Sequence, residues 1–156
     1  MEPIDCVIDG RASQRAFTLA RLATLLLATY WLLLMIGTHV PSPAAGSPII
    51  WDKLVHWAAY AGLAVLLALV VQSRYGLNLR RYTVICLIAG GYGAIDELAQ
   101  LPIPGRSADF QDWVADLLGV ASGLILFRGV STLISFRSPR SIRPQVPPSA
   151  PRDRFA

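Results

Sequence analysis

The chain has 156 residues, 54% of them hydrophobic and 15% charged, with a formal net charge of +4 and a mean hydropathy of +0.49. A soluble domain of this size carries about a quarter of its residues as charges, so the composition excludes the soluble enzyme and binding-domain classes and points to an integral membrane protein. Cys6 and Cys86 sit at no metal-ligand spacing, and neither a disulfide nor a cysteine metal site is expected.

Taken in chain order, a polar segment at 1–16 precedes a first apolar window at 17–36. That run exceeds the ~7 to 15 residues of a leader core, which favours a retained span over a signal peptide. Pro41, Pro43, Gly46 and Pro48 break the chain before a second window at 54–71, Gly76 and Asn78 before a third at 82–101, and Pro102, Pro104 and Gly105 before a fourth at 113–136. Each window approaches the ~20 residues that cross ~30 Å of hydrocarbon. The expected fold is all-α, a bundle of four transmembrane helices over 17–136. Residues 137–156 are dominated by Pro, Ser and Arg, lack the apolar content to fold, and are expected to form a disordered basic cytoplasmic tail.

The arginines predict the orientation. Arg11, Arg15 and Arg21, then Arg74, Arg80 and Arg81, then Arg128, Arg137, Arg140, Arg143, Arg152 and Arg154 fall on one side, against Lys53 and Arg106 on the other. By the positive-inside rule both termini are cytoplasmic, in the inner (cytoplasmic) membrane, with the first and third loops outside. The pI of 9.5 then reports topology and attraction to anionic lipid; no aromatic platform or folded basic module accompanies the charge, so no nucleic-acid partner is expected.

Ionisable groups are costly in lipid, and residues 96–116 concentrate them between two apolar windows: Asp96, Glu97, Arg106, Asp109, Asp112 and Asp116. Helical spacing aligns them into stripes. Lys53, His56 and Tyr60 recur at three and four on the second helix, Gly90, Gly93, Glu97 and Gln100 on the third, and Asp109, Asp112, Asp116, Gly119 and Gly123 on the fourth. With the orientation above, all polar members lie at the extracytoplasmic level. Gly119 and Gly123 form a small-xxx-small pair, which predicts close helix packing and turns the aspartates inward. Asp96 falls beside the Glu97 stripe and has no assigned role. Arg106 is the natural counter-charge for Glu97 or Asp116.

His56 and Tyr60, Glu97-x-x-Gln100, Pro104-Gly105-Arg106-Ser107, Asp109-x-x-Asp112, Asp116 and Gly119-x-x-x-Gly123 together resemble the VanZ-like membrane proteins over roughly residues 50–127. Family members usually carry asparagine where this chain has Asp116 and an apolar residue where it has Asp96. The family's namesake is tied to low-level resistance to the glycopeptide teicoplanin, so the resemblance implies a cell-envelope role and names no reaction.

Plainer readings exist for the same residues. Asp52, Asp109 and Asp112 suit helix N-termini, Lys53 suits snorkelling to the interface, and Tyr60, Trp51, Trp57 and Trp113 suit interfacial aromatics. Gln100 can satisfy a neighbouring polar group. Glu97 and Asp116 lie too far into their helices for capping and need partners or protonation. Three functional classes use such a set. The leading one is a binding site for a lipid-linked or cell-wall-derived group, Arg106, Lys53 and His56 meeting anionic oxygens while the acids meet hydroxyls or amines. The others are a structural or partner-binding module whose polar layer fixes helix register, and an enzyme using His56 and Glu97 as acid and base. Asp52 with His56 and Asp112 with Asp116 are pairs four apart that suit a hard cation. With only one histidine in the layer and no cysteine, however, no metal and no cofactor is expected. Membrane lipids, including an envelope precursor or headgroup, are the expected partners.

Overall fold

The structure, a computed structural model, describes residues 4–39, 49–104 and 106–137. The expectations for Pro41, Pro43, Gly46, Pro48, Gly105 and the tail at 138–156 lie outside them. Among the described residues the chain is all helical: α1 Ile4–His39, α2 Ile49–Tyr75, α3 Leu79–Gln100 and α4 Phe110–Arg137. Within these lie four candidate membrane spans of 22 to 27 residues, roughly 33 to 40 Å at 1.5 Å per residue. Every helix but α3 extends beyond its apolar window at both ends, because hydropathy ends where polar side chains begin while backbone hydrogen bonding continues past them.

The α2–α3 connection is tight and fully specified by its residues. Gly76 takes φ +71°, a left-handed C-terminal position that suits glycine, and its N–H donates to the Gln72 carbonyl at 3.2 Å. Asn78 caps α3 by accepting the Arg81 N–H at 3.0 Å. The Arg81 guanidinium donates back to the Tyr75 and Gly76 carbonyls, neutralising the negative end of α2.

Helix α2 touches all three other helices and packs along α4 most extensively. The cause is in the glycines of α4. A Cβ at Gly119 would collide with the backbone carbonyl of Trp57, and one at Gly123 with that of Ala61. Lipid is as apolar as leucine, so burial of hydrocarbon does not drive helices together in a membrane, and this backbone-to-backbone approach carries the association. Leu63, Ala64 and Ala68 of α2, Ile85 and Ala89 of α3 and Val120 of α4 make the buried core. The large side chains left uncovered, such as Leu25, Leu33, Leu87 and Ile125, face outward as a lipid-exposed surface requires.

Candidate functional site

Three helix ends converge at one end of the bundle: the start of α2, the end of α3 and the start of α4. There the structure buries His56, Asp96, Glu97, Gln100, Asp112 and Asp116 together with Tyr60, which is 1% exposed. The stripes drawn from helical spacing therefore do face one another across the bundle interior. Tyr60 is a core residue rather than an interfacial aromatic, stacked on Tyr92 at 6.1 Å between ring centroids.

Two ion-paired units organise the layer. The Lys53 ammonium donates to Asp109 Oδ2 at 3.0 Å and to Asp112 Oδ1 at 2.9 Å, bridging α2 to the start of α4. It does not snorkel freely. Deeper in, His56 Nδ1 lies 3.0 Å from Asp116 Oδ1 and 3.7 Å from Glu97 Oε1; toward an ionised Asp116, Nδ1 is the protonated nitrogen. Glu97 Oε2 accepts the Asp109 N–H at 3.0 Å, so a carboxylate of α3 fixes the residue that opens α4.

Asp109 is also a helix cap, as its position suggested. Its Oδ1 accepts the Gln111 N–H at 2.8 Å, and its carbonyl accepts from the N–H groups of Asp112 and Trp113. The Gln111 N–H, and after it the Lys53 ammonium, hold the Asp109 carboxyl below its ordinary value of 3.8. A depressed native value stabilises the fold above the ordinary value, and the contribution is lost as pH falls through the lower native one. Asn at this position keeps the cap and loses the charge. The melting-temperature gap between the parent and Asp109→Asn should therefore be widest near neutral pH and close below about pH 4; a gap that widens in acid would contradict the pairing.

Arg106 departs from expectation. Among the described residues it forms no ion pair with Glu97, Asp116 or any other acid. Successive turns, Ile103 N–H to the Gln100 carbonyl and Arg106 N–H to the Ile103 carbonyl, carry its guanidinium toward α1, where Nη2 donates to the Gly37 carbonyl at 3.4 Å. The last carbonyls of a helix are a partial negative charge and attract it there. The carboxylates it was expected to meet have His56 instead.

Asp96, left without a role by its spacing, is 2% exposed and accepts from Thr38 Oγ1 of α1 at 2.9 Å. His39 Nδ1 stands 3.9 Å from the same oxygen, and Gln100 Nε2 donates weakly at 3.5 Å to the other. Sequence reasoning missed Thr38 and His39; two polar residues ending an apolar span at the level of the acids were the available signal. Trp113 is more than an interfacial aromatic: its indole N–H donates to the Gly90 carbonyl at 3.0 Å and ties α4 to α3. Trp51 and Trp57 are exposed as expected of aromatics facing lipid, and Asp52 is exposed at the start of α2.

The electrostatic balance of the layer is acidic. Lys53 and His56 are both engaged by carboxylates, so neither is a free cation for an anionic ligand. Without a hydrogen-bond partner are the buried oxygens Glu97 Oε1 and Asp116 Oδ2 and the Tyr60 hydroxyl, although both carboxylates pair with His56; the Arg106 Nε is the one such nitrogen among the described buried side chains. Two sets of nitrogen and carboxylate oxygens have their ligand atoms within 4.8 Å of one another: Asp52, His56 and Asp112, and His56, Glu97 and Asp116.

These features define a class, a small multi-span helical membrane protein with a buried charged layer at one end of the bundle. Residues 27–135 match the VanZ/LLP1 family model, and the chain belongs to that family. The match takes in the last part of α1, all of α2 and α3 and nearly all of α4, beyond the 50–127 stretch whose motifs carry the likeness. No curated protein and no solved structure matches the chain.

Proposed function

We propose that this protein binds a lipid-linked or cell-wall-derived polar group of the cell envelope at the charged layer. The observation that carries the reading is the set of buried acceptors without hydrogen bonds, Glu97 Oε1 and Asp116 Oδ2 above all. Leaving a buried charged acceptor unsatisfied costs more than ~1 to 3 kcal/mol, which a ligand that donates hydrogen bonds or brings positive charge relieves. Sugar hydroxyls, amines and metal-bound headgroups have that chemistry; a bare phosphate does not. Beside the layer, an almost wholly apolar groove of about 500 Å³ runs between α2 and α4 past Ile50, Leu54, Trp57, Phe110 and Val114, with Lys53 at its edge. Its composition suits a lipid tail whose headgroup turns inward. Lipid analysis of the purified protein tests this: one hydroxyl- or amine-bearing envelope lipid should be enriched over its share of the bulk membrane. Retained lipid of bulk composition would contradict it.

A register-fixing structural role is the second reading, favoured by Lys53 bridging two helices through two carboxylates. It accounts for the paired groups and leaves the unpartnered oxygens unexplained.

The envelope reading also requires the layer to face outward from the cytoplasmic membrane. The arginine bias supports this, with both termini cytoplasmic. Single cysteines at Gly46 and Gly105, in a variant lacking Cys6 and Cys86, should react with an impermeant thiol reagent in intact cells. Reaction of a cysteine at Gly76 instead would invert the topology.

A further inference from the structure

We propose that His56, Glu97 and Asp116 form a binding site for one divalent first-row cation, Zn²⁺ or Mn²⁺. Three different helices each contribute one donor, and all the ligand atoms lie within 4.8 Å of one another. At metal–ligand bonds of ~2.0 to 2.2 Å, adjacent donors of a tetrahedral site stand roughly 3.4 Å apart. The separations from His56 Nδ1 to Asp116 Oδ1 and Glu97 Oε1, 3.0 and 3.7 Å, bracket that value. An independent observation points to a ligand: Glu97 is 5% exposed, yet its Oε1, the oxygen that faces His56, has no hydrogen-bond partner.

The surroundings hold these donors in place. Glu97 is oriented through its other oxygen by the Asp109 N–H. Asp116 Oδ2 lies against Gly93, where an added Cβ would stand 3.0 Å from it and within 3.4 Å of Tyr60 and Trp113, so that side of Asp116 is closely packed and Oδ1 is the oxygen offered to the ion. Such support is what fixes ligand orientation in metal sites. The only nearby lysine, Lys53, is neutralised by Asp109 and Asp112 and does not oppose a dication. One imidazole with two carboxylates selects among cations: Mg²⁺ and Ca²⁺ prefer all-oxygen shells, while Zn²⁺ and Mn²⁺ accept the mixed set. The alternative set of Asp52, His56 and Asp112 shares the histidine but places Asp52 at the exposed rim. This inference depends on the layer being a ligand site, and it supplies the positive charge by which a phosphate-bearing headgroup would be held there.

The test uses the full chain in detergent after chelation, titrated calorimetrically with ZnCl₂ and, separately, MnCl₂. Close to one ion per chain is expected for at least one of them, with affinity lowered at least tenfold in Glu97→Gln and Asp116→Asn and retained in Asp52→Asn. No binding of either ion by the parent overturns the proposal without recourse to any variant. So does binding that survives in folded Glu97→Gln and Asp116→Asn. If those variants do not fold, Co²⁺ added to the parent decides. Intense visible bands of a four- or five-coordinate ion support the site, and the weak bands of the hydrated ion overturn it. Lipid retained before and after chelation separates the two readings: absent cation binding with retained lipid removes this inference alone, and cation binding without lipid removes the headgroup reading alone.

Discussion

Gly119→Ala and Gly123→Ala should each destabilise the bundle by about 3 kcal/mol or more, at or above the upper end of the range for overpacking. The magnitude follows from what the new methyl meets. At both positions it collides with a backbone carbonyl of α2, of Trp57 and Ala61 respectively. A side chain can rotate away from such a contact, but a helix backbone can yield only by moving the whole helix. Because α2 and α4 form the most extensive contact of the fold, that displacement would also pull Lys53 and His56 from their aspartates. Gly37, Gly91 and Gly129 are internal controls, since a Cβ there meets nothing within 4 Å. Alanine at those sites should be neutral or stabilising by up to ~1 kcal/mol through helix propensity. Melting temperatures in one detergent make the comparison, and Gly119→Ala as stable as Gly129→Ala would contradict the packing.

The second large effect is expected at the His56–Asp116 pair. Both side chains are buried and their contact is 3.0 Å, so removing one partner strands the other. His56→Leu or Asp116→Leu alone should cost about 3 to 5 kcal/mol, whereas the double apolar variant should recover a large part of the loss, because it removes both desolvation penalties together. In metal-free protein the cycle should give a coupling of more than ~1 kcal/mol. Arg106→Met is the contrast: with no carboxylate partner among the described residues, its loss should be small and additive with Asp116→Leu. Additivity at His56–Asp116, or strong coupling at Arg106–Asp116, would reverse the assignment of counter-charges.

Much of this was readable from residue spacing. The four spans declared themselves because a membrane imposes both a length and an apolar composition on a helix. The convergence of His56, Glu97, Asp112 and Asp116 followed once three stripes were set at one membrane level. What escaped depended on directions that spacing does not encode. Arg106 leaves a run of turns whose geometry, not its charge, aims it at Gly37. Asp96 finds Thr38 on α1, 58 residues away, and in the apolar part of α1 only Thr38 and His39 at its end hint at which face meets α3. Tyr60 shares the inward stripe of Lys53 and His56 while its residue type also suits an interface, and its burial against Tyr92 decides between the two.

Whether the charged layer holds a ligand or serves only as a scaffold is probed most directly by Glu97→Gln. The change keeps the volume, and the new side-chain amide retains an oxygen that can accept the Asp109 N–H, while the charge behind the unpartnered Oε1 is removed. The ratio of enriched envelope lipid to protein should be near one in the parent and fall at least tenfold in a variant that melts within a few degrees of it. An unchanged ratio, with or without a lowered melting temperature, would contradict the account.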